Sequence, residues 1–300
     1  MDKKNPLVSV VINCFNGERY LKKSIESVLA QSYRNWEIIF WDNQSRDRSA
    51  EIFLSYKDKR LKYYHAESHE LLYKARNKAL EKVNGELIAF LDVDDFWEPN
   101  KLISQVNLFD NPRVGISCGN FWIRNESTGV VRLAFRRKIP SGMVLKNLLA
   151  YYSVGMLTII VRRTVINNMG QVFDPTYSII GDFDFVVKIA RKGWHLASVQ
   201  EPLATYRVHG DSLTNKSMTL HELELKSWTA IKHEEGVKAW NDEYKYLHNS
   251  LNYVTAINRL KSGNKIAAFK IAIQMPVGIY KIRILAAIIA PNAALEYFKN

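Results

Sequence analysis

The chain has 300 residues, of which 47% are hydrophobic and 12% aromatic, and its formal net charge at pH 7 is +12. This composition excludes a disordered chain, because it supplies enough apolar surface for a substantial core. The length fits one large domain or one domain with an appendage. The positive charge favours anionic partners, such as phosphorylated small molecules, an anionic membrane face or nucleic acid.

Two features at the level of the whole chain indicate a reducing compartment. The two cysteines, Cys14 and Cys118, match neither a disulfide framework nor a zinc-binding spacing. The N-terminal residues lack the long apolar segment and the small-residue cleavage site of a signal peptide, and we expect them to lead into a first strand. The sequence therefore predicts a cytoplasmic protein.

The first half of the chain alternates between strand and helix patterns. Apolar, β-branched runs bounded by turn residues predict strands, and apolar residues at helical spacing, as in Leu21, Ile25 and Val28, predict helices. Pro99 suits the first turn of the fourth helix. The predicted strands cover residues 7–13, 36–41, 61–67 and 85–92, and the predicted helices cover residues 17–32, 50–56, 72–83 and 99–109. Four such units predict an α/β fold with a doubly wound, mostly parallel sheet.

The second half is less regular. The patterns predict a strand at 114–125, a basic loop or edge at 131–138, a strand and helix ending at Gly170, a helix at 181–193 and a strand leading into a polar loop at 203–214. In the first half, polar clusters at 13–16, 42–47 and 92–95 follow three of the predicted strands. Ligands bind beyond the carboxyl ends of such strands, so we expect these clusters to converge on one crevice.

The segment "IAFLDVDDFWEP" places Asp92 and Asp94 two residues apart after a buried strand. On an extended segment this spacing puts both carboxylates on the same side. Such carboxylates repel each other unless a cation lies between them. Mg²⁺ or Mn²⁺ could bind there, with the diphosphate of a substrate as a further ligand. Taken alone, the motif is weak evidence, because a solvated turn has the same residues.

The surrounding motifs strengthen this interpretation. Together with "ARNKAL" and "GELIAFLDVDDFWEPNKL", the opening segment "LVSVVINCFNGERYLKKSIESVLAQSYRNWEIIFWDNQSRD" resembles glycosyltransferase family 2 over about residues 7–215. The resemblance implies an inverting enzyme with the GT-A fold. It also implies a catalytic domain at 1–218, divided into a nucleotide-sugar half at 1–112 and an acceptor half at 113–218, followed by a helical region at 219–300.

On the donor side, the resemblance assigns roles position by position. The end of the first strand would line the nucleobase, and Asp42, in "DNQSRD", would contact the base or ribose, although an Asx turn is the alternative. Arg76 would face the nucleotide, although a solvated helix arginine is the alternative. The residues that the resemblance places around the nucleotide sugar are Asn13, Phe15, Asn16, Asp42, Arg76, Asp92 and Val93.

The metal and the catalytic base are also assigned by resemblance. Asp94 and His209 would bind the cation, and Asp92 and Asp95 are further possible ligands. Asp182 matches the catalytic base, although a helix N-cap is the alternative. The family usually has a glutamate before that aspartate, and here Gly181 stands in its place. Asp184 matches a structural acid of the same helix.

The predicted activity is metal-dependent, inverting transfer of a sugar, expected to be UDP-linked, to a hydroxyl of a glycan or a lipid-linked acceptor. The cation would be Mn²⁺ or Mg²⁺, and the enzyme would be a hexosyl- or N-acetylhexosaminyl-transferase. The alternatives are a sugar nucleotidyltransferase on a similar fold and a non-catalytic nucleotide-sugar-binding protein. No motif supports nucleic-acid binding, so we expect no nucleic-acid partner.

The C-terminal segment differs from the rest of the chain. Residues 259–300 contain seven basic residues and one acid, and residues 267–298 are otherwise largely apolar. The uncharged runs 271–280 and 284–295 are both too short to span a bilayer, which requires about 20 residues. Two short helices in the interface of the cytoplasmic membrane fit this pattern. The alternative is a helical pair packed on the catalytic domain.

Overall fold

The computed structural model describes residues 5–210, 218–234 and 244–289. Most of the expected polar loop at 209–214, and the part of the apolar tail after residue 289, lie outside these residues. The chain divides into two compact units. The first falls within residues 1–144 and 153–209, and the second within residues 145–152 and 210–300.

The first unit is built on a nine-stranded sheet, counted over the described residues. Its strands in chain order are β1 (Val8–Cys14), β2 (Trp36–Asp42), β3 (Leu61–His65), β4 (Leu87–Phe90), β5 (Phe96–Trp97), β6 (Val114–Asn125), β7 (Val131–Leu133), β8 (Ile160–Arg162) and β9 (His195–Val208). The order across the sheet is β3-β2-β1-β4-β8-β6-β9-β5, and β7 pairs with β6.

The α-helices are numbered through the whole described chain. They are α1 (Glu18–Leu29), α2 (Ser49–Leu54), α3 (Leu72–Leu80), α4 (Lys101–Val106), α5 (Leu145–Ala150), α6 (Arg163–Asn167), α7 (Gly181–Arg191), α8 (Met218–Glu234), α9 (Tyr244–Lys261), α10 (Lys265–Gln274) and α11 (Ile279–Ile289). Short 3-10 turns follow α4 and precede β8.

The parallel half of the sheet agrees with the predicted βα units. Strands β3, β2, β1 and β4 are parallel neighbours. Every residue of β1 and β2 is buried, which explains why both strands are almost continuously apolar. Their register pairs Cys14 with Asp42, and Asp42 with His65 of β3. The carboxyl ends of these three strands are therefore level, and the loops that follow them share one edge of the sheet.

The other half of the sheet is mixed. Strand β8 is antiparallel to both β4 and β6, and β6 is parallel to β9. The short strand β5 pairs antiparallel with β9 and was not predicted. Pro99 lies before the N-cap residue Asn100 of α4 and outside the first helical turn. Helix α6 ends at Asn167, earlier than the predicted end at Gly170.

The helices pack on the sheet through the faces that the sequence indicates. Leu21, Ile25 and Val28 of α1 are fully buried and belong to the same core as β1, β2 and β4. The two cysteines are free and buried in the sheet, Cys14 at the end of β1 and Cys118 in β6. Burial raises the pKa of the Cys14 thiol to about 11 and that of Cys118 to about 12.

The second unit is helical and contains α5 and α8 to α11. A small apolar core joins α9, α10 and α11, with buried Ala256, Ala268, Ala272, Met275 and Ile284. The two short helices expected in the apolar tail correspond to α10 and α11. No helix within the described ranges has the length and apolar character needed to cross a bilayer.

Candidate active site

The acidic segment after β4 forms a tight turn. The amide of Asp95 donates a hydrogen bond to the carbonyl of Asp92 over 3.0 Å, as in a β-turn. The expectation of an extended segment with two carboxylates on one side is therefore wrong. The chain reverses through Val93 and Asp94, so the carboxylates of Asp92 and Asp94 have different partners.

Val93 packs this turn against the junction of β1 and α1. A Cβ atom at Gly17 would lie 2.6 Å from Cγ2 of Val93 and 2.9 Å from Sγ of Cys14. Only glycine at position 17 leaves room for this approach. The side chain of Val93 therefore faces the protein. Its contact with Gly17 fixes the position of the acidic turn relative to the end of β1.

Asp94 is paired with His209, which follows β9. The Oδ2 atom of Asp94 lies 3.0 Å from Nε2 of His209, and both side chains are largely buried. Burial raises the pKa of Asp94, the nearby charge of Asp92 raises it further, and the hydrogen bond with His209 opposes the rise. The ring of Tyr20 packs against His209 with centroids 4.8 Å apart. The structure thus brings together two proposed metal ligands that are 115 residues apart in the chain.

Asp95 faces inward. It is fully buried, and its Oδ1 atom accepts a hydrogen bond from the amide of Arg207 over 2.9 Å. The guanidinium of Arg207 donates to the carbonyl of Asp94. Burial raises the pKa of Asp95 well above its usual range. These contacts hold the acidic turn on β9, and the second carboxyl oxygen of Asp95 is buried with no hydrogen-bond partner among the described residues.

Arg76 lies inside the site and not on a solvated helix face. Only 3% of the residue is exposed, and its guanidinium donates to Oδ1 of Asp92 over 2.5 Å. Burial lowers the pKa of Arg76, but Asp92, Tyr73 and Asp182 outweigh burial, so the pKa is raised and the arginine stays charged. The side chain of Asp92 remains about one third exposed. Arg76 therefore holds one carboxylate of the acidic turn in place and leaves it partly open.

Asp182 lies at the start of α7, where its Oδ1 atom accepts a hydrogen bond from the amide of Phe183 over 2.8 Å. Burial raises the pKa of Asp182 to about 6, although the Phe183 amide and the charge of Arg76 oppose the rise. The next acid, Asp184, is buried and pairs with Lys188 at 2.6 Å. The basicity of Asp182 is thus raised, and Asp184 is tied to a lysine of its own helix.

The loop "DNQSRD" after β2 is ordered by its own polar side chains. Asp42 is buried, and its two oxygens accept hydrogen bonds from the amide of Ser45 at 2.8 Å and from the hydroxyl of Tyr63 at 2.7 Å. Gln44 has a positive φ of 69°, which a left-handed turn position requires. The carboxylate of Asp42 thus bonds the amide three residues on, one residue further than in an Asx turn.

The end of β1 provides the other donor-side candidates. Asn13 is buried, and its Nδ2 atom has no hydrogen-bond partner among the residues that the structure describes. Phe15 is 46% exposed and lies against the ring of His69, with centroids 4.2 Å apart. Asn16 has a φ of 54° and accepts a hydrogen bond from the amide of Arg46. An exposed aromatic ring beside an unpartnered amide suits a flat polar group such as a nucleobase.

Several residues of the site were not found from the sequence. Tyr73 contacts the start of α7, His69 supports Phe15, and Arg207 holds the acidic turn. Tyr73 lies three residues before Arg76 on a helix, so the two side chains share one face, and this spacing could have indicated it. His69 and Arg207 reach the site only through tertiary contacts, for which the sequence has no local signal.

The donor set at the acidic turn fits a divalent cation that brings other ligands with it. Asp94 and His209 are close enough for both to bind one ion, and the side chain of Asp92 stays partly exposed. No group of three or more such side chains in metal-binding geometry occurs among residues 5–210, 218–234 and 244–289. Two protein ligands suffice for Mg²⁺ or Mn²⁺ when phosphate and water complete the coordination.

Comparison with known proteins decides the family. The family described as Glycosyl transferase family 2 matches residues 9–167, which is more than half of the chain. The chain belongs to glycosyltransferase family 2. The resemblance seen in the sequence is therefore confirmed, and the protein is a glycosyltransferase with the GT-A fold and a helical C-terminal portion.

Two curated relatives are informative. A UDP-Glc:alpha-D-GlcNAc-diphosphoundecaprenol beta-1,3-glucosyltransferase, WfgD of Escherichia coli, is 35% identical over 54% of this chain and 62% of its own length. The chain thus spans less than two thirds of that relative. The putative teichuronic acid biosynthesis glycosyltransferase TuaG of Bacillus subtilis is 29% identical over 72% of this chain and 84% of its own length.

Solved structures share the fold. TarS of S. aureus, in complex with UDP-GlcNAc, has a TM-score of 0.62 and 18% identity, covering 94% of this chain and 79% of TarS. The mannosyltransferase PcManGT of Pyrobaculum calidifontis, in complex with GDP-Man and Mn²⁺, has a TM-score of 0.64 and 17% identity, covering 98% of this chain and 81% of PcManGT.

Proposed function

We propose that this family 2 enzyme uses a divalent cation to transfer a sugar from a UDP-sugar, with inversion, to a hydroxyl of a lipid-linked glycan. The observation that carries the proposal is the position of Asp92. Burial raises the pKa of both Asp94 and Asp182, and the charge of Asp92 adds to the rise in each. Arg76 bonds Asp92 and lies against Tyr73, whose hydroxyl accepts from the amide of Asp182, which supports a site in which the proposed metal ligand and the proposed base act on one donor sugar.

Asp182 is the proposed catalytic base. A carboxylate with a pKa of about 6 is still ionised at pH 7, and it is a stronger base than an ordinary aspartate because basicity rises with pKa. It accepts the proton of the acceptor hydroxyl as that oxygen attacks the anomeric carbon. Arg76 keeps the carboxylate ionised through its charge and holds Asp92 at the donor side.

Asp94 and His209 would hold the cation, which would stabilise the negative charge that develops on the departing diphosphate. Asp92 is the third candidate ligand. The donor-side residues Asn13, Phe15, Asn16 and Asp42 belong to the same edge of the sheet and would surround the nucleotide. Val93 would contact it only through its backbone, because its side chain faces the protein. The exposed ring of Phe15 provides the apolar face against which a base can stack.

The names of the relatives support the choice of substrates. WfgD is named for UDP-Glc and a GlcNAc-diphosphoundecaprenol acceptor, and the TarS structure contains UDP-GlcNAc. A lipid-linked acceptor requires the enzyme to work at a membrane surface. We propose the cytoplasmic face of the membrane, with residues 1–218 as the catalytic domain and the helical region 219–300 as the part that binds lipid.

Exposed apolar residues of the second unit support this location. Ile266, Phe269 and Ile273 of α10 are exposed at helical spacing, and Ile282 and Ile289 of α11 are also exposed. The opposite sides of both helices pack in the apolar core, so each helix is apolar on two sides, which is typical of buried or membrane-bound helices. Residues 259–289 contain six basic residues and no acid, which suits anionic headgroups.

The proposal is tested by replacing the base. Asp182→Asn should reduce transfer at least about a hundredfold, because the amide cannot accept the proton, while UDP binding measured by calorimetry with Mn²⁺ stays within about twofold. Transfer is followed as UDP release from UDP-Glc, UDP-GlcNAc or GDP-Man with a GlcNAc-diphosphate-lipid acceptor. In the wild type, kcat should rise with pH through about 6, since Asp182 must be ionised.

The control is Asp110→Asn, which removes an exposed carboxylate at the end of the 3-10 turn that follows α4 and should leave transfer unchanged. EDTA should abolish transfer, and added Mn²⁺ should restore it. Native turnover of Asp182→Asn would remove that residue from catalysis. Full activity in EDTA would remove Asp94 and His209 from metal binding. Donor binding without transfer to any acceptor would favour the non-catalytic alternative.

A further inference from the structure

Tyr73 occupies the space that a side chain at position 181 would need. A Cβ atom built on Gly181 would lie 2.5 Å from Cε2, 2.6 Å from Cζ and 2.7 Å from Cδ2 of the Tyr73 ring. These are carbon atoms of a residue that is only 3% exposed, so the ring cannot move aside easily. The glycine at the position where the family usually has a glutamate is therefore matched to a tyrosine on another helix.

The hydroxyl of Tyr73 binds the backbone on both sides of Gly181. It donates a hydrogen bond to the carbonyl of Ile179 over 3.0 Å, and it accepts one from the amide of Asp182 over 3.3 Å. Amides in the first turn of a helix have no partner within the helix. Tyr73 thus supplies the partner for the amide of the residue proposed as the base.

The ring itself is held in place. It stacks on Phe173 with centroids 5.6 Å apart, and the guanidinium carbon of Arg76 lies 5.4 Å from its centroid. One turn further along α3, the side-chain amide of Asn77 exchanges two hydrogen bonds with the backbone of Phe173, at 2.7 and 3.0 Å. Helix α3 therefore contacts the segment before α7 through both Tyr73 and Asn77. These contacts leave the ring of Tyr73 little freedom to shift.

We propose that Tyr73 is a positioning residue for Asp182, and that Tyr73 and Gly181 form one unit that replaces the missing side chain at position 181. The inference rests on the proposed function of Asp182. The phenol fixes the position and direction of the first turn of α7. The position of this turn in turn determines where the carboxylate of Asp182 points. Helix α3 carries both Tyr73 and Arg76. It therefore supports the donor side of the proposed site through Arg76 and the acceptor side through Tyr73.

The first test is Tyr73→Phe, which keeps the ring and removes only the hydroxyl. We expect kcat to fall about tenfold with the same donor and acceptor as above, while the KM for the donor and the Kd for UDP with Mn²⁺ stay within about twofold. The matched control is Tyr33→Phe. Tyr33 is also a buried tyrosine that donates to a backbone carbonyl, that of Pro6 at 2.5 Å, and its loss should leave kcat unchanged.

The second test measures unfolding and needs no substrate. Gly181→Ala should lower the midpoint of urea unfolding in the wild-type background, because the new Cβ meets the ring. In the Tyr73→Ala background the same change should leave the midpoint equal or higher, because the space is open and alanine favours a helix. This difference is the coupling that a double-mutant cycle detects.

The outcomes separate the two proposals. If Asp182→Asn is inactive but Tyr73→Phe turns over within twofold of the wild type, the positioning role is wrong and the base assignment stands. A parallel loss of kcat and UDP affinity in Tyr73→Phe would also overturn it, since the effect would then act through the donor side. Equal midpoint shifts for Gly181→Ala in both backgrounds would show that the residues are not one unit. An active Asp182→Asn would remove the base and with it the inference.

Discussion

Lys101, at the start of α4, is an ionisable residue in a buried position. It is fully buried, and its amine has no hydrogen-bond partner within the described part of the chain. The amine lies 4.0 Å from the ring centroid of Trp97, which stabilises the charged form in part. Burial nevertheless lowers the pKa of Lys101 well below its usual range. A buried amine of this kind reduces stability below the pKa of an unfolded lysine, because the unfolded chain binds the proton more tightly than the folded chain does.

Lys101→Met should therefore stabilise the protein, by about 1–3 kcal/mol at pH 7, since methionine fills a similar volume without a polar group. The wild type should gain stability as the pH rises towards about 10.4, the pKa of an unfolded lysine, and the variant should lack this gain. Urea unfolding between pH 7 and 10 measures both effects. Lys22→Met, at a side chain that is 75% exposed, is the control. A destabilised Lys101→Met would show that the amine has a partner that matters more than its burial.

Single residues also mark the limit of what the sequence could predict. Asp94, His209 and Arg76 were assigned by motif, and the structure brings Asp94 and His209 together and sets Arg76 against Asp92. The orientation of the two carboxylates was predicted wrongly, because a turn after β4 depends on the packing of Val93 against Gly17. Such a contact joins residues far apart in sequence and leaves no periodic pattern.

At the scale of elements, the junction of β1 and β4 depends on Gly85. A Cβ atom there would lie 2.6 Å from the carbonyl oxygen of Leu7, 2.6 Å from the amide nitrogen of Ser9 and 2.8 Å from the carbonyl oxygen of Leu87. All three atoms belong to the backbone, so a side chain at position 85 can be accommodated only if the strands separate. The pairing of β4 with β1 sets the height at which the acidic turn begins.

Gly85→Ala should thus lower the free energy of unfolding by about 2–4 kcal/mol, because the added methyl group meets backbone on three sides. Thermal and urea unfolding measure the loss. Gly278→Ala is the control, since no atom lies within 4 Å of its added Cβ. If the two variants unfold alike, β4 and β1 are less closely paired than the structure indicates.

Elements with strong periodicity were predicted well, and short ones were not. The apolar runs of β1, β2 and β6 and the helical spacing of α1 gave the right elements at nearly the right bounds. Strand β5 has two residues, Phe96 and Trp97, and two residues cannot show an alternation. The antiparallel insertion of β8 between β4 and β6 is equally invisible, because strand order depends on tertiary pairing.

At the scale of the whole molecule, charge and exposed apolar surface coincide in the second unit. The net charge of +12 would draw the protein to anionic lipids over a distance set by the salt concentration, and the exposed side chains of α10 and α11 would then enter the interface. Electrostatic attraction alone fades with salt, whereas buried apolar area does not. The two contributions can therefore be separated by experiment.

The wild-type protein should float with vesicles that contain phosphatidylglycerol and bind weakly to vesicles of phosphatidylcholine. The full-length triple variant Phe269→Glu, Ile273→Glu and Ile282→Glu should lose at least tenfold in vesicle affinity, because each glutamate removes apolar contact and repels the headgroups. The control triple Leu54→Glu, Val130→Glu and Met143→Glu changes equally exposed residues of the first unit by the same charge. Equal loss in both triples would show that net charge alone drives binding. Unchanged flotation of the first triple would exclude α10 and α11 as the lipid-binding surface.

The two sheet-bound cysteines have a practical consequence. A thiol reacts as its thiolate, and Cys14 and Cys118 are shielded and have pKa values of about 11 and 12, so maleimide dyes at neutral pH will leave both untouched. A cysteine introduced on any exposed loop becomes the one labelled position without prior removal of the native pair. Fluorescent reporters can thus be placed beside the acidic turn or on the C-terminal helices of an otherwise unaltered enzyme.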